Sequence, residues 1–231
     1  NIANENTTST RHLIIHEVMG RHCGWLTGAT AEAYRKRLGD WSFLPSMRLS
    51  RECWDVHAVW VPEVDLDLDA EIERLNGVMD KHDCVNLFLS EGAGMDAIIR
   101  EKEAGGEEVR RDAFGHARLD ELNPGKWFAS KLKERLNADK VLVQKSGYFG
   151  RSAAPNERDL ELIKKSAFAG AGYALDGQSG VAGMDEDAGG EMSCIAFPRI
   201  KGGKPFDIDL PWFGDMLSEI GQPKGARAAG H

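Results

Sequence analysis

Apolar runs of four to six residues alternate along this chain with stretches whose apolar positions recur every three or four residues. The runs are Leu13-Ile14-Ile15-His16-Glu17-Val18, residues 56–61, Cys84-Val85-Asn86-Leu87-Phe88-Leu89 and Val141-Leu142-Val143-Gln144, and each reads as a strand. Between them the helical period predicts helices over 24–38, 70–81, 94–104, 123–137, 156–175 and 212–220. In the first, Leu26, Ala29, Ala33 and either Tyr34 or Leu38 make the apolar stripe, Arg35-Lys36-Arg37 load the last turn, and Gly39 ends the helix. Asn156 is a good N-cap for the fifth. Residues 41–54, punctuated by Pro45, read as irregular, and the Gly- and Asp-rich stretch 177–190 reads as a loop. Residues 192–200 read as a last strand cut by Pro198. The alternation predicts an α/β fold with a mainly parallel sheet flanked by helices. No internal repeat or linker is visible, so 1–221 is expected to form one portion, followed by a disordered tail over 222–231.

Three of the strand runs end on polar clusters. The first leads into Met19-Gly20-Arg21, the second into Ser90-Glu91-Gly92, and the third into Lys145-Ser146-Gly147-Tyr148-Phe149-Gly150-Arg151. Ligands of α/β sheets bind beyond the carboxyl ends of the strands, so three such ends can converge on one molecule. Arg21 offers a planar fork for phosphate oxygens, and Gly20 allows a sharp turn or a close approach. Glu91 can accept hydrogen bonds from sugar hydroxyls. Lys145 and Arg151 bring two cations, and Tyr148 brings a hydroxyl donor. The combination suits a phosphorylated sugar. For each cluster alone, a surface ion pair or a basic helix start is the plainer explanation.

Composition narrows the classes. The 231 residues carry a net charge of −8 with 42% hydrophobic residues, which argues for a packed core and against bulk nucleic-acid binding. No apolar run is long enough to span a membrane, and no signal peptide precedes the first strand. Cys23, Cys53, Cys84 and Cys194 form no CxxC pair, so free thiols in a reducing, cytoplasmic setting are expected. Cys84 is expected in the core and Cys23 near the first cluster. The seven histidines are scattered and read as packing or surface residues. The run Asp65-Leu66-Asp67-Leu68-Asp69 invites a calcium loop, but Ala70 and Asn76 stand where such a loop needs Gly and Glu. Helix capping explains it better. Gly92 and Gly94 make no dinucleotide fingerprint, and neither a P-loop nor a nucleophile elbow is present.

At these clusters the chain resembles the phosphofructokinases. Glu17-Val18-Met19-Gly20-Arg21-His22-Cys23-Gly24-Trp25-Leu26-Thr27 is similar to the substrate segment of that family. Lys145-Ser146-Gly147-Tyr148-Phe149-Gly150-Arg151-Ser152 is similar to its pyrophosphate-dependent branch, as are Asp112-Ala113-Phe114-Gly115-His116 and Leu122-Asn123-Pro124-Gly125-Lys126-Trp127-Phe128. In ATP-dependent bacterial relatives a His stands in place of Tyr148. The resemblance, from about residue 7 to 221, implies reversible, Mg²⁺-assisted transfer of a phosphoryl group from pyrophosphate to the 1-hydroxyl of fructose 6-phosphate in glycolysis or gluconeogenesis. It also implies a homo-oligomer. It places Met19, Gly20 and Arg21 on the sugar phosphate, with Arg21 also stabilising the transferring group. Glu91 falls on the hydroxyls, and Lys145, Tyr148, Phe149, Gly150 and Arg151 around the 6-phosphate. An Arg that in relatives reaches a neighbouring subunit has His12 in its place here, with Arg11 one residue out of register.

Two further segments of the family, a Gly-Gly-Asp that binds donor and metal and a Thr-Ile-Asp-Asn-Asp that carries the catalytic base, do not occur in these 231 residues. Residue 1 is Asn, and the chain reads as the sugar-binding portion of such an enzyme whose true start is missing. The ligands for Mg²⁺ would lie in the absent segment, so no metal ligand is assigned here, and the chain alone is expected to be inactive. The alternative is a non-catalytic sugar-phosphate-binding or regulatory subunit.

Overall fold

The computed structural model describes residues 2–7, 10–47, 49–110, 122–200 and 203–228. The motif at residues 112–116 lies outside them. In chain order the elements are β1 (His12–Val18), α1 (Trp25–Leu38), β2 (Ala58–Trp60), β3 (Val64–Asp65), α2 (Leu68–His82), β4 (Cys84–Ser90), α3 (Met95–Ala104) and α4 (Pro124–Arg135). There follow β5 (Lys140–Lys145), α5 (Gly147–Ser152), α6 (Glu157–Leu175), β6 (Val181–Asp185), β7 (Glu191–Ile195), α7 (Pro211–Glu219) and β8 (Ala226–Arg227). Where a single portion was expected over 1–221, the chain divides into two compact units. One comprises Asn1–Tyr148 with Lys204–His231, the other Phe149–Gly203, and the division falls within α5.

The first unit is built on a four-stranded sheet in the order β2-β4-β1-β5, with every pairing parallel. Alternate side chains serve opposite faces. Leu13, Ile15, Val85, Leu87 and Leu89 enter a core closed by Leu75 and Met79 of α2 and Phe128 and Leu132 of α4. Val18, Val59 and Phe88 enter a second core with Ala31 of α1 and Phe213, Met216 and Leu217 of α7. All seven residues of β4 are buried, as expected for a central strand covered on both faces. At about 25 cal/mol per Å² of apolar surface, each of these large side chains contributes roughly 1.5–3 kcal/mol by burial.

Local signals explain the helix limits. The Asp67 carboxylate accepts the Ala70 N–H at 3.0 Å, so the aspartate run caps α2, and Asp83 in the left-handed conformation ends it. The strand expected over 56–61 is shorter, Ala58–Trp60, because β2 pairs only on its β4 side.

On the outer side of β2, a side chain takes the place of a strand. The carboxamide of Gln222 accepts the Val59 N–H at 2.7 Å and donates to the Val59 carbonyl at 2.9 Å. Beyond it, β8 pairs antiparallel with β3, and the Ala228 N–H reaches the Glu63 carbonyl. The tail expected to be disordered over 222–231 is therefore ordered through 228. Small residues gave no pattern, and the order comes from the Gln222 carboxamide on β2 and the backbone pairing of β8 with β3.

The second unit holds the end of α5, the long helix α6 and one hairpin. Asn156 and Asp159 form a reciprocal capping box at the start of α6. Residues 177–190, expected to be a loop, contain β6, which pairs antiparallel with β7. β7 itself ends at Ile195, and Pro198 sits in a helical turn, Phe197–Arg199, rather than in a strand. Asp185 accepts from Ser193 at 3.0 Å and from both guanidinium nitrogens of Arg199 at 2.7 and 2.6 Å, which holds its carboxyl down at about 2. None of the α6 side chains is buried; Leu160, Ile163, Phe168 and Leu175 are all more than half exposed.

Candidate functional site

The parallel register sets the carboxyl ends of β1, β4 and β5 side by side: Val18 lies opposite Ser90 and Glu17 opposite Lys145. The turns that follow are locked together. The Gly20 N–H donates to Glu91 Oε1 at 3.1 Å, Ser90 Oγ donates to the Gly20 carbonyl at 2.6 Å, and the Glu91 N–H donates to the Val18 carbonyl at 3.0 Å. Gly20 has φ +146°, and a Cβ there would stand 2.3 Å from the Cys23 carbonyl oxygen. A Cβ on Gly92 would stand 1.9 Å from the carbonyl oxygen of Arg21. Gly20 is required by its positive φ and the tight turn onto Cys23, and Gly92 by close backbone packing of the second cluster on the first.

The third strand end joins through β1. The Ser146 N–H and Oγ both donate to the Glu17 carbonyl, at 2.9 and 3.0 Å. Glu17 is buried, and its carboxylate accepts the Gly125 N–H at 2.8 Å and lies 3.4 Å from Lys145 Nζ. Lys145 Nζ also donates to Asn123 Oδ1 at 2.7 Å. Met19 packs against the turn that follows β5; a Cβ on Gly147 would stand 3.1 Å from its Cγ. Tyr148 closes the first unit with its side chain exposed. Thus Met19, Gly20, Arg21, Glu91, Lys145 and Tyr148 all follow adjacent strand ends of one sheet. Phe149, Gly150 and Arg151 belong to the second unit, on α5, with their residues exposed.

Several participants were not evident from pattern. Glu17 ties β1, β5 and the start of α4 together, and its only sequence signal is a carboxylate in an apolar run. Glu63 is fully buried; its carboxylate accepts the Gly24 N–H at 2.9 and 3.1 Å and the Phe206 N–H at 2.8 Å. It thereby places negative charge at the start of α1, where the helix dipole favours it. Arg11 stands at the opposite end of β1, bonded to Asp80 at 2.8 Å and to the Leu136 carbonyl. His16 stacks on Phe88 at 4.7 Å, and burial lowers its pKa to about 4, so it packs as a neutral ring. Among the described residues, no group of three or more His, Cys, Asp or Glu is arranged to hold a metal ion. No helix among them is long and apolar enough to cross a membrane.

A parallel α/β sheet whose adjacent strand ends present an Arg turn, a carboxylate and a Lys-Tyr turn has the phosphofructokinase-like architecture. Over 98% of its length it is also close in sequence to named enzymes. It is 57% identical over 227 residues to the pyrophosphate–fructose 6-phosphate 1-phosphotransferase of Methylomonas methanica and 50% identical over 229 residues to that of Mastigamoeba balamuthi. The chain is a relative of these phosphotransferases and spans 56% of the length of each. Among solved structures it resembles the pyrophosphate-dependent phosphofructokinase of Marinobacter aquaeolei, with a TM-score of 0.55 at 19% identity, covering 98% of this chain and 51% of that one. A second, from Nitrosospira multiformis, gives a TM-score of 0.51 at 17% identity, covering all of this chain and 53% of the other. These two likenesses concern the fold. No protein-family profile matches the chain.

Proposed function

We propose that this chain supplies the sugar-phosphate side of a phosphotransferase that moves a phosphoryl group from pyrophosphate to the 1-hydroxyl of fructose 6-phosphate. The observation that carries this reading is the 50–57% identity to enzymes of that name over 98% or more of the chain. The strand-end arrangement supports it chemically. Phosphoryl transfer depends on positioning and on neutralising charge rather than on covalent chemistry by the protein. Arg21 would meet phosphate oxygens with a two-pronged fork, and Lys145 would add a point charge. Glu91, with Oε1 held by the Gly20 N–H, would turn its remaining acceptor capacity to sugar hydroxyls. Tyr148 would donate its hydroxyl to the 6-phosphate. The parts given to Met19, Phe149, Gly150 and Arg151 rest on the resemblance alone.

Magnesium is proposed to act on the pyrophosphate. The described residues offer no cluster for it, so no step is assigned to it here. A homo-oligomer and a cytoplasmic location are proposed on the same resemblance, the latter helped by four free cysteines.

Titration calorimetry of the chain with fructose 6-phosphate and with fructose tests the reading. The phosphorylated sugar should bind, fructose should not, and Arg21→Ala should weaken binding at least tenfold, since a charge-assisted bond contributes roughly 1.5–3 kcal/mol. Equal affinity for both sugars, or indifference to Arg21→Ala, would refute it.

A further inference from the structure

The amino end of β4 carries a pair of cysteines that the strand-end site does not use. Cys53 ends the helical turn Arg51–Cys53 and Cys84 begins β4, so they lie away from the cluster at Ser90 and Glu91. Both belong to a small apolar cluster with Ala3, Leu38 and Trp54. Cys84 is fully buried, and Cys53 retains 8% exposure. The Cys84 thiol donates to the Cys53 carbonyl at 3.6 Å, which sets the two residues side by side. That carbonyl also accepts from Asn6 at 2.8 Å and from Asn86 at 3.3 Å, which pins the Cys53 backbone against β4.

We propose that Cys53 and Cys84 form an oxidisable dithiol that closes to a disulfide on reaction with a hydroperoxide. The two thiols have different roles. Cys53 is the attacking group: it is the less buried of the two, and interaction with Cys84 first and Ser50 next lowers its pKa. Cys84 is the resolving group, pushed up by its bond to Cys53 and by burial, and held as a thiol beside its partner. In the first step the Cys53 thiolate attacks a peroxide oxygen and the O–O bond breaks. Hydroxide leaves, takes up a proton as water, and leaves a sulfenic acid on Cys53. In the second, Cys84 gives up its proton and attacks the Cys53 sulfur. The S–O bond breaks, and the departing hydroxide takes that proton as a second water. Two thiols and one hydrogen peroxide give one disulfide and two waters.

The native chain is treated with hydrogen peroxide, quenched with catalase, denatured in iodoacetamide and mapped by mass spectrometry. The expected main product is a linked Cys53–Cys84 peptide pair, about 2 Da lighter than the two free peptides and separated by dithiothreitol. In Cys84→Ser, dimedone should instead label Cys53. Full alkylation of both Cys53 and Cys84 after peroxide has oxidised Cys23 or Cys194 would overturn the proposal. This measurement on the unaltered chain decides it whether or not the variant folds.

Discussion

Glu17 and Lys145 are register partners on adjacent parallel strands, and their side chains meet 3.4 Å apart at the end where β1 and β5 finish. Glu17 is buried and Lys145 half exposed, so the two losses are unequal. Removing the lysine leaves a buried carboxylate with the Gly125 N–H and, among the described residues, no cation. Lys145→Met should therefore destabilise the chain by about 1–3 kcal/mol, between the values for an exposed pair and a fully buried one, because solvent screens the half-exposed lysine. Glu17→Gln in the same background should recover part of it, because the charge that needed compensation is gone. Urea denaturation of both single variants and the double variant checks this; strictly additive losses would show that the pair is uncoupled.

Gly20→Ala should cost about 2 kcal/mol or more, because the positive φ and the Cys23 carbonyl both exclude a Cβ. Gly20 also carries the bonds to Glu91 and Ser90. The same change should weaken fructose 6-phosphate binding beyond detection even where the variant remains folded. Thermal melting and calorimetry on one sample separate the two effects.

His57 gives the fold a pH dependence. Its Nδ1 accepts the Asn86 N–H at 2.9 Å and its Nε2 donates to the Glu52 carbonyl at 2.9 Å, an arrangement that requires the neutral ring. Burial lowers its pKa from 6.5 to about 4, as it does for His16. Between these values the unfolded chain binds protons that the folded chain refuses. The stabilisation is therefore complete above pH 6.5 and is lost as pH falls toward 4, by roughly 2–3 kcal/mol per histidine. Urea midpoints at pH 7, 5.5 and 4.5 should fall in that order, and His57→Gln should flatten the decline; a midpoint constant over this range contradicts the assignment.

The second unit should bind hydrophobic dyes. Phe168 is 72% and Leu175 88% exposed on α6, and such a surface promotes association. Replacing both with serine should lower dye fluorescence and self-association while changing stability by only about 0.5 kcal/mol per site. Analytical ultracentrifugation with dye titration provides the check.

The chain alone should bind fructose 6-phosphate without phosphorylating it. It contains neither the Gly-Gly-Asp nor the Thr-Ile-Asp-Asn-Asp segment, and its described residues form no metal cluster. Pyrophosphate-dependent formation of fructose 1,6-bisphosphate by the purified 231 residues would contradict this.

What the sequence made visible follows from burial. The three strands His12–Val18, Cys84–Ser90 and Lys140–Lys145 are apolar enough to read without tertiary knowledge, and they lie side by side in the sheet. β6 was obscured because Val181-Ala182-Gly183-Met184-Asp185 is small and half exposed, so no apolar run marks it. Glu17 and Glu63 were obscured for a different reason. A lone carboxylate carries no pattern, and its role depends on N–H groups brought from 108 and 143 residues away. The break at Tyr148 was likewise unmarked, since it falls inside a short helix rather than in a flexible linker.

Gln222 bears on how the molecule avoids polymerising. β2 is one of the two outer strands of the sheet, and an outer strand with free N–H and C=O groups is a template for another chain. The carboxamide of Gln222 copies the donor and acceptor of a neighbouring peptide group and occupies both positions at Val59. It ends the hydrogen-bond ladder without offering a new edge. Shortening the chain to residue 221 would uncover that template, so the seven ordered residues beyond it act as a solubility element.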